Sequence, residues 1–331
     1  MQKIVKFVLI IILNLIIFFL TVRITETILQ KSENKVKNAK IIRLNKETLN
    51  FPKTENGLKY FYEPQPNNLR SWKPNWLGFE VINTINSDTL NERFEYPVQR
   101  PANYFRIITL GDSNIYGLYI ETPFNYPEKL EDLLNSKLKC SNYNHFDVLN
   151  LGVPGYDIEY SAERFIKRGI KYDPDLVIWL VNEWNFDIIN EYNIPKMKEY
   201  NKEGYKDFDI ANKKFTATEL ALKELNDMFS SQEIFDYQKK AIERLIKKYK
   251  GKILFVSYPS LPEKYKKLIY HFTQSNQNKY VYSYKLTDLL KNDNYHLLDF
   301  HPNKKGYQKM SGEIFDYLAN IYFKNCNRSD K

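Results

Sequence analysis

From Ile4 to Val22 the chain is apolar almost without a break, IVKFVLIIILNLIIFFLTV, interrupted only by Lys6, Asn14 and Thr21. As a helix rising about 1.5 Å per residue, this run spans roughly 28 Å, close to the ~30 Å hydrocarbon thickness of a bilayer. Lys6 can snorkel to the interface. The pattern predicts a transmembrane helix within residues 1–24. Thr21-Val22-Arg23-Ile24-Thr25 offers no small-residue cleavage site and no cysteine for lipidation lies nearby, which favours an uncleaved anchor over a cleaved signal peptide. Lys3 and Lys6 stand on one side of it and Arg23, Lys31, Lys35 and Lys37 on the other, so charge alone does not orient it. A single N-terminal anchor ahead of one large domain predicts that the domain lies outside the cytoplasmic membrane.

Residues 25–104 change texture. They are polar and punctuated by Pro52, Pro64, Pro66, Pro74 and Pro97, with short alternating pieces such as Phe79-Glu80-Val81-Ile82, and they predict a stalk followed by irregular lead-in strands. From Phe105 onward short apolar runs recur: FRIITL ending at Gly111, DVLNL ending at Gly152, DLVIWLV ending at Asn182, and KILFVSYP. Each has the length and composition of a buried strand. Between them lie helical periodicities over Tyr126–Leu138, Asp157–Ile170 and Ser231–Tyr249, with a last one from Lys304 to Tyr322. In the third, Ile234, Tyr237, Ala241, Leu245 and Tyr249 mark one face, and Ser230 with Glu233 suggests a capping box. Strands alternating with helices predict an α/β fold with a parallel sheet covered on both faces, whose sites lie at the carboxyl ends of the strands. Residues 183–230, polar and aromatic, are too long for a simple connection and predict an insertion near the site.

Composition narrows the chemistry. Among 331 residues there are 11 Gly, 4 His and 2 Cys. A cysteine-based metal centre and a disulfide framework are excluded by count, although Cys140 and Cys326 are available for one bond in an oxidising compartment. The net charge of +9 is spread over lysines interleaved with acids, as in Lys239, Lys240, Glu243 and Arg244, and no arginine-rich stripe appears. It describes a solvated surface and no nucleic-acid partner.

The scarce glycines and histidines concentrate after the strands. The first strand runs into Gly111-Asp112-Ser113-Asn114-Ile115-Tyr116-Gly117, which holds a hydroxyl on a strand-to-helix turn with the free N–H groups and dipole of a helix N-terminus behind it. The second runs into Asn150-Leu151-Gly152-Val153-Pro154-Gly155, and the third into Asn182-Glu183; near the C-terminus stands Asp299-Phe300-His301-Pro302-Asn303. This set suits acyl transfer. A serine needs a base, the base needs an acceptor to orient it, and the developing oxyanion needs fixed donors. Ser113 is the candidate nucleophile, His301 the base and Asp299 its orienter. The backbone N–H groups of Ser113 and Gly152 with the Asn182 amide are the candidate oxyanion donors. Asp112 lacks the companions of a metal ligand, and His145, His271 and His296 are expected to be structural or solvated, with His296 the fallback base. Trp184, Phe186, Tyr116 and Tyr156 are candidates for stacking on sugars or for core packing.

Four ordered blocks, LGDSNIYG, LNLGVPGYD, LVNEWN and LLDFHPNKKGY, resemble those of the SGNH branch of the GDSL esterase and lipase family over roughly residues 105–322. The resemblance implies a flavodoxin-like three-layer α/β/α sandwich, Ser113 as nucleophile, Gly152 and Asn182 in the oxyanion hole, and His301 as base. It implies hydrolysis or transfer of acyl esters, often O-acetyl groups on glycans, without metal or organic cofactor. The alternatives are an O-acyltransferase acting on a polysaccharide and an inactive SGNH domain used as an envelope binding module. The family places its acid three residues before the histidine, where this chain has Leu298; Asp299 is two before, and without it a Ser-His dyad remains. Leu180 stands where the third block has glycine, and Glu183 where it has aspartate. An α/β-hydrolase nucleophile turn is excluded because Ile115 occupies the position of its second glycine, and a phosphate-binding loop because no Lys-Ser/Thr follows Gly117.

Overall fold

The computed structural model describes residues 41–43, 49–74, 76–204, 216–275, 281–287 and 292–329. The expected membrane anchor lies outside the described residues, and no helix among them is long and apolar enough to cross a membrane. The described residues from Ile42 onward form one compact unit.

A hairpin of β1 (Asn68–Trp72) and β2 (Val81–Ile85) precedes the sheet. The sheet consists of β3 (Tyr104–Leu110), β4 (His145–Asn150), β5 (Leu176–Val181), β6 (Lys252–Ser257) and β7 (Val281–Lys285) in the order β7-β6-β5-β3-β4, every pairing parallel. Counted within the sheet this is the order 2-1-3-4-5 of flavodoxin-like doubly wound folds. Strands buried on both faces need apolar residues at every position, which is why LVIWLV of β5 is continuous and wholly buried. Its alternate residues divide between two cores. Val177, Trp179 and Val181 pack with α3 (Ile158–Arg164), α7 (Ser231–Lys248) and α8 (Glu263–Ser275). Leu176, Ile178 and Leu180 pack with α2 (Tyr126–Lys137) and α9 (Lys304–Tyr317) on the other face. Three layers result. Ser230 and Glu233 form the expected capping box at the start of α7.

The remaining helices are α1 (Ser113–Tyr116), one turn after β3, and α4 (Glu183–Asp187), α5 (Asn190–Lys202) and α6 (Thr216–Met228), which occupy the described parts of residues 183–230. The edge strand β7 and the helix α8 were not expected from the sequence.

From residue 49 the described lead-in is knitted into the α/β unit, and the part before it that was expected to form a stalk lies mostly outside the described residues. Glu63 is buried and paired with Arg164 at 2.6 Å and Arg168 at 2.7 Å. Burial alone raises its pKa, but the two guanidinium charges prevail and hold the carboxyl down at about 2. Asn83 donates to the Ile120 carbonyl and Asn91 to the Tyr116 carbonyl, both at 2.7 Å, so the lead-in bears directly on the turn that carries Ser113. A disulfide joins Cys140 to Cys326 and ties the C-terminal segment to the turn beyond α2.

Candidate active site

The first strand of the parallel sheet, β3, has its two successors β4 and β5 on opposite sides, so a crevice opens at its carboxyl end. Ser113 stands there. Asp112 caps α1, its Oδ1 accepting from the Asn114 N–H at 2.9 Å, and Gly117 ends the turn in the left-handed conformation at φ +84°. As the first residue of a helix, Ser113 keeps its backbone N–H free of intrahelical partners.

His301 is brought to Ser113 by the loop before α9. Its Nε2 lies 2.7 Å from Ser113 Oγ and its Nδ1 2.7 Å from Asp299 Oδ2, while its backbone N–H donates to Asp299 Oδ1 at 3.3 Å. The one intervening residue, Phe300, has φ +68°, a left-handed conformation that a bulky side chain rarely adopts. That local strain folds the chain back within a single residue, so an acid two positions before the histidine reaches the ring. The Leu297 N–H donates to the His301 carbonyl at 2.8 Å and the Phe300 N–H to the Leu297 carbonyl at 3.0 Å, closing the loop on itself. Asn303 then caps α9 by accepting from the Lys305 and Gly306 N–H groups.

Asn182 follows β5 directly and caps α4 in a reciprocal box with Asn185. Its Nδ2 donates to Asp112 Oδ2 at 2.6 Å and its Oδ1 accepts from the Asn185 N–H at 3.2 Å. Asp112 also accepts from Asn185 Nδ2 at 3.2 Å and from Asn114 Nδ2 at 3.2 Å. This nearly buried carboxylate therefore has its acceptor capacity filled by amides and fixes the Asn182 amide plane, leaving one Nδ2 hydrogen for the cavity.

Gly152 follows β4 in the next strand-to-helix turn. Its N–H donates to Asn150 Oδ1 at 3.0 Å, and the residue is packed beneath α1, where a Cβ would collide with the Tyr116 nitrogen and Ile115. The next glycine of the same turn, Gly155, lines the cavity instead. It has φ +82°, a Cβ there would come within 2.8 Å of Tyr62 Oη, and its N–H has no acceptor among the described residues.

Ser113, Asn182, Asp299, His301 and Gly155 share one cavity of about 400 Å³. Asn190, Asn193, Met197 and Thr218 line it from α5 and α6. Among the aromatic candidates, Trp184, 40% exposed, and the buried Tyr156 line the cavity, whereas Phe186 and Tyr116 are core residues. Phe300, 49% exposed, is a rim residue that the sequence did not single out. His145 lies beside Asp147 and Tyr104, away from the cavity; His296 holds the Leu297 carbonyl through Nδ1 at 2.9 Å. Among the described residues no cluster of His, Cys, Asp and Glu is arranged to hold a metal ion.

No protein-family model matches the chain, and no curated protein is similar to it. Solved structures similar to it include a lipase/acylhydrolase from Enterococcus faecalis, at 15% identity over 69% of this chain and 100% of that one, with a TM-score of 0.40. A family 3 carbohydrate esterase from Clostridium thermocellum is 17% identical over 66% of this chain and 96% of that one, with a TM-score of 0.41. A psychrotrophic esterase from Pseudoalteromonas sp. is 15% identical over 65% and 97%, with a TM-score of 0.37.

Proposed function

We propose that this chain is a serine ester hydrolase of the SGNH type, acting on small O-acyl groups of a glycan or similar polyol. The observation that carries the reading is the unbroken series Ser113 Oγ, His301 Nε2, His301 Nδ1, Asp299 Oδ2, each link 2.7 Å, within the range for a nucleophile and its base. Asp299 accepts from Nδ1–H, which leaves Nε2 as the basic nitrogen facing the serine. Ser113 Oγ attacks the ester carbonyl as Nε2 takes its proton. The N–H groups of Ser113 and Gly155 and the free hydrogen of the Asn182 amide hold the oxyanion. Collapse expels the alcohol, which His301 protonates, and water activated by His301 then releases the acid from Ser113.

A domain kept only for binding has no use for a hydroxyl, an imidazole and a carboxylate in series, so the geometry favours turnover. Transfer to a second hydroxyl shares every step as far as the acyl-serine, and release of free acid separates hydrolysis from it. Placement outside the cytoplasmic membrane, held by the apolar run Ile4–Val22, is part of the same proposal. The Cys140–Cys326 disulfide supports it, since such bonds persist in oxidising compartments. The test is turnover of p-nitrophenyl acetate by the wild type and by Ser113→Ala: Ser113-dependent release of p-nitrophenol is expected, and a rate unaffected by the substitution removes the assignment.

A further inference from the structure

Along α5 the residues Asn190, Asn193 and Met197 fall at helical spacing on one face and line the cavity. Asn190 is spent on the scaffold: its Nδ2 donates to the Gly155 carbonyl at 2.8 Å and its N–H to Asp157 Oδ2 at 2.9 Å. Asn193 is not. Its side chain is 1% exposed, yet neither Nδ2 nor Oδ1 has a hydrogen-bond partner among the described residues. Met197, one turn further along α5, offers no strong complement, and the Thr218 hydroxyl of α6 is turned to Met197 Sδ at 3.7 Å.

An amide left unpaired in a buried place costs free energy that a leucine of similar size would not, and asparagine is also a poor helix former. A bound ligand can remove that cost. The amide offers a donor and an acceptor on adjacent atoms, so its complement is a group that both accepts and donates. A hydroxyl does both; a methylene chain does neither, a carboxylate satisfies only Nδ2 and an ammonium only Oδ1. At about 400 Å³ the cavity is in the range of sites that enclose a small molecule rather than an acetyl group alone.

We infer that Asn193 reads a hydroxyl group of the substrate, so that the site selects esters of sugar-like, polyhydroxylic alcohols over esters without free hydroxyls. The inference rests on the esterase reading above and specifies the substrate of that same site. A site built to pair a hydroxyl discriminates strongly against analogues lacking it, because the protein group is then left unpaired.

The test compares wild type and Asn193→Leu in the full chain, on 6-O-acetylglucose and p-nitrophenyl acetate, with the thermal midpoint of each protein. The ratio of kcat/KM for the sugar ester to that for p-nitrophenyl acetate is expected to fall at least tenfold, mainly through KM on the sugar ester. The thermal midpoint is expected to rise, because the unpaired amide is gone. An unchanged ratio overturns the inference, and so does a lowered midpoint with equal loss on both substrates, which marks a structural asparagine. Wild-type enzyme that hydrolyses p-nitrophenyl acetate through Ser113 but not 6-O-acetylglucose overturns this inference and leaves the esterase reading standing. If Ser113-dependent turnover is absent on both substrates, the esterase reading fails and takes the inference with it.

Discussion

On the part of the cavity lining that comes from the strand ends, the side chains around Ser113 are paired: Asp112 holds Asn182, Asn185 and Asn114, and both ring nitrogens of His301 are engaged. On the part contributed by α5 and α6, the Asn193 amide is buried and unpaired. The first arrangement is complete before substrate arrives, as electrostatic preorganisation requires, since donors and base need not move when charge develops. The second is incomplete until something fills it. On the proposed esterase reading, the difference separates a part of the site that performs the reaction from a part that chooses what undergoes it, and each can be attacked without the other.

The largest effects belong to the paired side. Ser113→Ala and His301→Ala are each expected to lower kcat on p-nitrophenyl acetate by about 10⁴-fold or more, and Asp299→Asn by about 10²- to 10⁴-fold because the imidazole loses its tautomer. Steady-state kinetics with thermal midpoints as folding controls check this. Asp299→Asn retaining near-full kcat means that the chain works as a Ser-His dyad. Next is Asp112→Asn, which turns an acceptor towards donors and misaims the Asn182 amide. A loss of about 10²- to 10³-fold in kcat, with KM little changed, is the signature of a missing oxyanion donor.

The two glycines of the β4 turn sharpen the division further. Gly152→Ala forces a Cβ into the backbone of α1 and is expected to destabilise the fold by about 1–3 kcal/mol, read by denaturant titration. Gly155→Ala, at φ +82° beside Tyr62, is expected to lower kcat at least tenfold with a stability loss of only about 1 kcal/mol. The reverse outcome returns the oxyanion role to Gly152.

The smallest effect lies outside the cavity. Burial pushes the Glu131 carboxyl up to about 8 despite hydrogen bonds from the Val148 N–H and Tyr96. The folded state therefore binds this proton more tightly than the unfolded chain, and the associated stability is present below about pH 4.5 and lost as pH rises towards 8. Buried Asp157, raised to about 7, adds to the same trend. Glu131→Gln keeps an oxygen for both donors and is expected to make the fall of stability between pH 5 and 8 shallower by up to about one proton equivalent. A steeper fall contradicts it.

What the sequence revealed followed from contiguous signals. Apolar runs such as LVIWLV and FRIITL are long enough to mark buried strands, and Ser113, Asn182 and His301 each sit beside such a landmark, at a strand end or a helix start. Asp299 was legible as a candidate, but its reach depends on Phe300 adopting a positive φ, which no local propensity of phenylalanine foretells. Gly155 was passed over because two glycines in one turn differ only in what packs against them. Residues 49–104 have too few apolar residues of their own to announce a fold; their order comes from partners such as Arg164 and Arg168, more than a hundred residues away from Glu63. Asn193 is ordinary in its local sequence and becomes informative only when its neighbours on α5 and α6 surround it.

Whether Ser113 is a nucleophile activated by His301 is decided by labelling the intact protein with a serine-reactive phosphonate and locating the adduct by peptide mass spectrometry. One adduct per chain on Ser113, formed much more slowly in His301→Ala and absent from Ser113→Ala, is the predicted result. Failure to label, or an adduct on another residue that persists in Ser113→Ala, removes Ser113 as the nucleophile.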